Sequence, residues 1–326
     1  METLTTDLQK NRTVKVLKIL LWLYIALAVG IAALNYALAP RLPQAQAMMI
    51  HRAYQFYENE FKTFLIILVA ALGWKLYGTG PGRRMQKTNL LAFCISSLLI
   101  HIAAPLLSGN PELYYMAMPL PWSTTGLQLM TPDSNFYLQH LPLWGLGGIG
   151  AAVVFFIAMN AFVFVGTLLF GRRLQCSSLC LLNGFVAELW APALPLVGEA
   201  RKPGKRGIAL VRLVRWIFFA LSVGLSLWWL FRAAGIQLPG DAGLLGRFEV
   251  AKYLSLELMA AMLFWVVWSG RGYCHYCPLG TALSLVARLG RQRIRTDLKR
   301  CVSCSACNRS CPMYLGVMEA AQKALP

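Results

Sequence analysis

Six stretches of the sequence are apolar over roughly the length of a bilayer crossing: residues 16–39, 62–78, 89–107, 143–170, 208–235 and 253–269. A hydrocarbon core about 30 Å thick takes roughly 20 helical residues to cross. Lipid offers backbone N–H and C=O groups no partner, so each crossing segment must be a helix. The composition agrees: 57% hydrophobic and 13% charged residues are the proportions of a membrane protein. The reading is an all-α polytopic membrane protein with a six-helix transmembrane bundle over residues 16–269. A cytoplasmic tail precedes it at 1–15, and a small C-terminal cytoplasmic domain follows at 270–326. The first stretch is too long for a signal-peptide core and reads as an uncleaved anchor.

Orientation follows from the basic residues. Lys10, Arg12, Lys15 and Lys18 precede or open the first stretch; Arg83, Arg84 and Lys87 follow the second; Arg172, Arg173, Arg201, Lys202, Lys205 and Arg206 follow the fourth. The C-terminal tail is basic, whereas residues 108–141 hold no Lys or Arg. Cytoplasmic loops carry the Lys/Arg excess, so both termini are read as cytoplasmic. The formal charge of +18 is then a topology signal, and nucleic acid is excluded as a partner. Two outer loops are expected. Residues 40–61 contain His51, Glu58 and Glu60, and residues 108–142 are rich in Pro, Tyr, Trp and Met, including Tyr114, Tyr115 and Trp122. The second reads as an aromatic belt on the headgroups, in preference to a docking surface or a quinone mouth.

Eight of nine cysteines fall in three motifs. Cys301, Cys304, Cys307 and Cys311, followed by Pro312, spell C-x2-C-x2-C-x3-C-P, the ligand run of bacterial ferredoxins for [4Fe–4S] clusters. Structural zinc takes two separated ligand pairs, which this run does not offer. A second pair, Cys176 and Cys180, follows Gly171-Arg172-Arg173, and a third, Cys274 and Cys277-Pro278, follows Gly270-Arg271. Both stand at the inner end of an apolar stretch and both precede a glycine, as a short internal repeat would. Arg172, Arg173 and Arg271 would favour thiolates and offset the negative charge of a cluster. Ordinary core cysteines are the competing reading for Cys176 and Cys180, where no proline follows.

Four plus two plus two cysteines meet the demand of two [4Fe–4S] clusters. Either the C-terminal four hold one cluster and the two pairs the other, or the ligands cross. In the crossed version Cys277 joins Cys301, Cys304 and Cys307, while Cys311 joins Cys176, Cys180 and Cys274. The Cys-Pro steps at Cys277 and Cys311 favour crossing. Residues 281–300 would be the amphipathic connector that folds the tail back.

With these motifs placed, the second half of the chain, about residues 143–312, resembles the polytopic ferredoxin-type proteins of bacterial respiration. These include the NapH and NosR families, MauN-like proteins and the membrane ferredoxins of oxidase assembly. The resemblance implies a bacterial inner-membrane subunit passing electrons between the quinone/quinol pool and a partner redox protein through the two clusters. A metal-ion or cofactor reductase in assembly of a respiratory oxidase is the alternative, and a non-redox assembly protein with structural clusters a third. The sequence departs from the pattern in three ways. Cys180 lacks its proline, only one ferredoxin run is present, and there is no large outer domain.

His101 and Glu257 are ionisable residues inside apolar stretches and therefore candidates for quinone or proton chemistry. A satisfied interhelical bond for His101 and an interfacial position for Glu257 are the competing readings. No second intramembrane histidine accompanies His101, so haem is not expected. A quinol near the outer face would lie too far from inner-face clusters for fast direct transfer. A site near Arg172, Glu188 and Trp190 would remove that difficulty.

Overall fold

A computed structural model describes residues 12–76, 81–131, 135–198, 205–236, 238–292, 307 and 313. Side chains of 81–83, 135–149, 205, 206, 208 and 209 fall outside that description. In chain order the α-helices are α1 (Arg12–Ala33), α2 (Gln44–Phe56), α3 (Lys62–Leu76), α4 (Pro81–Ser97), α5 (Ala104–Ser108) and α6 (Thr125–Leu129). There follow α7 (Asn135–Phe170), α8 (Gly184–Leu189), α9 (Lys205–Ala233), α10 (Ala242–Lys252), α11 (Ala260–Val267) and α12 (Pro278–Leu289). Among the described residues there is no strand.

Five helical runs are long and apolar enough to cross a membrane: Arg12–Arg41, Arg84–Ser108, Gly150–Phe170, Leu210–Ala233 and Ala242–Val267. The chain thus has the character of a multi-pass membrane protein. Large apolar side chains such as Leu23, Leu107, Val154 and Leu213 stand on its exterior, as lipid-facing positions do. The remaining apolar stretch, 62–78, forms α3, which has only 15 residues. It does not begin at Lys62, however. A π-helical turn, Tyr57–Phe61, joins α2 to α3, and residues 44–76 make one unbroken helix. Glu58 and Lys62, spaced i,i+4 and bonded at 2.8 Å, neutralise each other within it. The expected outer loop 40–61 is therefore mostly helix. Its true turn is Pro40–Pro43, where proline holds Leu42 extended at φ −103°, ψ 160°.

The chain divides into two compact units. Unit 1 comprises Met1–Ala117, Ser177–Gly198 and Gly240–Gly270. Its centre is Tyr24 of α1. The ring stacks on Tyr57, Trp190 and Trp265 at 6.3, 6.0 and 6.4 Å and meets Phe185 edge-on at 5.8 Å. One side chain thereby ties together two crossing-length runs, the helix 44–76 and the segment Ser177–Gly198.

The basic run after the fourth apolar stretch places residues 171–207 in a cytoplasmic loop by the positive-inside rule. Here Ser177–Gly198 folds back among the spans of unit 1. Phe185, Val186, Leu189 and Trp190 are fully buried. The Trp190 indole donates to the Leu17 carbonyl at 3.0 Å, and Ser96, midway along Arg84–Ser108, donates to the Ser178 carbonyl at 2.9 Å. Leu196 and Val197 N–H groups cap the Trp265 and Val266 carbonyls. Non-helical backbone at membrane depth needs such internal partners. Asn183 supplies two more, donating to Gly270 O at 2.9 Å and accepting from Trp265 Nε1 at 2.7 Å. Gly270 has no room for a side chain, since a Cβ would run into Leu194 and Ala187.

Unit 2 comprises Met118–Cys176, Glu199–Pro239 and Arg271–Pro326. Within it α6 packs on α9, and α12 packs on both α7 and α9. The amphipathic α12 buries Leu279, Leu283 and Ala287. Gly290, just beyond it, lies so close to the Leu168 carbonyl that a Cβ would collide. Gln292 then donates to the Leu169 carbonyl at 2.9 Å. The first half of the expected connector is thus a docked helix. Residues 293–300 lie outside the described residues.

Candidate functional site

The C-terminal end of α7 breaks at Gly171, whose φ of +78° suits glycine, and a π-helical turn, Gln175–Leu179, then carries Cys176. Arg271 is buried and donates from Nη1 to the Cys176 carbonyl at 3.0 Å. This bond brings Cys176 to the start of the segment bearing Cys274 and Cys277, so these three cysteines share one end of unit 2. Cys274 stands on the 3₁₀ turn Tyr273–His275. Cys277 stands at the N-terminus of α12 with Pro278 behind it, and its sulfur accepts from Gly280 N at 3.4 Å. A helix N-terminus presents N–H dipoles that favour an anionic sulfur.

Guanidiniums surround this end. Arg172 Nη2 reaches the Met313 sulfur at 3.8 Å, which places a residue just past Cys311 beside the end of α7. Arg173 is exposed. Arg215, in the span Leu210–Ala233, donates to Thr281 Oγ1 at 2.9 Å and Ser284 Oγ at 2.8 Å, within electrostatic reach of Cys277, Arg172 and Arg288. Arg215 was missed by the sequence reading. Its signal was a basic residue within an apolar stretch, where a charge without a function is rare. Burial pushes the His275 imidazole below its ordinary range. Arg172 and Arg215 push the same way, and a hydrogen bond with the Met313 backbone opposes them.

Cys180 belongs to unit 1. Its carbonyl accepts from Phe185 N at 3.0 Å, and the Lys62 ammonium lies 5.7 Å over the Phe185 ring. Cys307 is exposed, whereas Cys301, Cys304 and Cys311 lie outside the described residues. Among the described residues, no three His, Cys, Asp or Glu side chains form a metal-binding group. Cys94 and Cys180 are free thiols. In unit 2, thiols beside a helix N-terminus and several guanidiniums are the donor chemistry that an anionic, sulfur-ligated iron cluster requires.

His101 and Glu257 have different partners. His101 Nδ1 lies 3.2 Å from Asn59 Oδ1, and its ring stacks on Tyr114 at 5.2 Å. Glu257 lies 3.1 Å from Lys252 Nζ, and both side chains are buried. The aromatic stretch after the third span is not a belt on headgroups, since Tyr114, Met116 and Trp122 are buried against protein. Of the inner-face candidates, Trp190 is buried in the core and Glu188 accepts from Asn89 Nδ2 at 2.9 Å.

No family model matches the chain, and no solved structure matches it. An uncharacterized protein of Methanocaldococcus jannaschii is 40% identical over 87 residues, a stretch that is 26% of this chain and 31% of that protein. The similarity thus spans less than a third of the relative's length.

Proposed function

We propose that this chain is a bacterial inner-membrane electron-transfer subunit that links the quinone/quinol pool to a partner redox protein. The observation that carries the reading is the set of eight cysteines in three motifs, with ferredoxin spacing in the last. Two [4Fe–4S] clusters, when bound, would supply one-electron carriers. Cys176, Cys274 and Cys277 would hold iron at the arginine-rich end of unit 2, with Cys180 and the C-terminal four completing the set. Arg172, Arg215 and Arg271 hold that end together and offset negative charge on sulfur. The reading includes a sixth crossing, by the helix 44–76, and both termini in the cytoplasm.

The test is transfer itself. Anaerobically purified protein is mixed with a reduced short-chain quinol, and the visible absorption is followed. Bleaching that reverses on adding the oxidised quinone is the expected result. Clusters that answer dithionite but neither form of the quinone would remove the quinone link.

A further inference from the structure

The helix 44–76 carries His51, Gln55, Glu58, Asn59 and Lys62 as a polar arc that runs through its π-helical turn. Burial deepens along the arc. The His51 side chain is 44% exposed, that of Glu58 11% and that of Lys62 8%. Polar contacts line it. His51 Nε2 and Gln55 Nε2 both reach Glu112 Oε1, at 3.0 and 3.3 Å. Asn59 donates to the Pro111 carbonyl at 2.9 Å and faces His101 at 3.2 Å. Lys62 bonds Glu58 at 2.8 Å and covers Phe185, whose N–H is bonded to the Cys180 carbonyl. The arc therefore begins at an exposed imidazole and ends beside the segment that holds Cys180.

Stability does not account for this arrangement, because an apolar pair of similar volume would serve as well or better than a buried ion pair. The backbone points the same way. Unit 1 has π-helical turns at Leu34–Leu38, Tyr57–Phe61, Leu98–Ala103 and Tyr253–Met259, bearing Tyr36, Glu58 and Asn59, His101 and Glu257 respectively. Such turns recur at functional sites. The titratable groups around the pair include Tyr24 from α1, Tyr57 from its own helix, His101, Tyr115, Cys180 and Tyr253.

We infer that the Glu58–Lys62 pair is a proton acceptor inside unit 1 and that the polar arc from His51 is its route to water. The inference rests on the reading of Cys180 as part of a redox centre. When that centre gains one electron, from a hydroquinone or from dithionite, the Glu58 carboxylate takes one proton from water along the arc. An O–H bond forms on Glu58, one O–H bond of a bulk water or buffer acid breaks and leaves its conjugate base in solution, and the net charge of the interior is unchanged. Lys62, released from its carboxylate, then faces the added negative charge. Oxidation returns the proton by the same route.

Redox-difference infrared spectroscopy on the anaerobically prepared full chain tests this. Reduction with dithionite should raise a carboxylic-acid C=O band that shifts in D2O. The band should vanish in Glu58→Gln and persist in Glu60→Gln, which changes an exposed carboxylate of the same helix. Glu58→Gln/Lys62→Met removes both charges together, so it preserves the packing if the single variant does not fold, and it should also lack the band. Gln55→Leu should slow proton uptake, followed with an indicator dye, about tenfold or more. Reduction without the band and without proton uptake overturns the inference alone, as does a band that survives in the double variant. Protein without any reducible centre overturns the electron-transfer reading and this inference together.

Discussion

Unit 1 and unit 2 handle charge in opposite ways. Unit 1 pairs opposite charges inside its own helices, Glu58 with Lys62 and Lys252 with Glu257, and packs them among tyrosines. Unit 2 gathers like charges, Arg172, Arg215 and Arg271, around cysteines that stand at turns and at a helix start. A neutral pair buried in apolar surroundings is self-contained. A guanidinium cluster beside thiols is balanced only when the sulfurs carry negative charge. On the proposed reading, the first arrangement would hold a proton and the second an anionic centre.

The comparison can be broken most sharply in unit 1. Lys62→Ala strands a buried carboxylate and should cost about 3–5 kcal/mol, read as a lowered thermal midpoint in detergent. Glu58→Gln/Lys62→Met should restore most of that loss. An unchanged midpoint in Lys62→Ala would mean that water reaches the pair and that unit 1 has no dry polar interior. Next in size is Trp190→Ala, expected to cost about 3–5 kcal/mol, because it opens a cavity and removes the indole bond to the Leu17 carbonyl. In unit 2 the expected effect falls on cofactor more than on fold. Cys277→Ser should lose about four irons of about eight, by the stoichiometry of a cluster lost with its ligand. Arg271→Gln breaks the bond to the Cys176 carbonyl and should cost about 1–3 kcal/mol. The smallest effect belongs to Asp241, whose carboxylate accepts from Gly243 N at 2.7 Å and caps α10. Asp241→Ala should cost about 1 kcal/mol and leave the iron content unchanged.

The same contrast explains what the sequence made legible. Five of the six apolar stretches correspond to crossing-length helices, because hydropathy reports directly on lipid contact. The helix 44–76 was cut at Lys62, because a hydropathy sum counts Glu58 and Lys62 as two charges while the helix makes them one neutral pair. The inward course of Ser177–Gly198 escaped for a related reason. Phe185, Val186 and Trp190 carry an apolar signal too short for a span, and only long-range partners such as Leu17 and Ser96 show where it goes. Tyr114 and Trp122 were assigned to a headgroup belt by residue type, yet a buried aromatic and an interfacial one look alike in sequence. His101 was flagged, but its partner Asn59 was not, since a lone asparagine beside a charged residue looks like loop. The cysteine motifs were legible from spacing alone. Arg215 had a signal, a basic residue within an apolar stretch, but its partners on α12 depend on the packing of that helix against α9.

Iron and acid-labile sulfide analysis of the anaerobically purified full chain, with visible and low-temperature EPR spectra, tests the central claim most directly. The account predicts about eight irons and about eight sulfides per chain, a broad visible absorption that dithionite bleaches, and about half of each in Cys277→Ser. A colourless, iron-free chain prepared without oxygen, or one whose cysteines are recovered as disulfides, would contradict it.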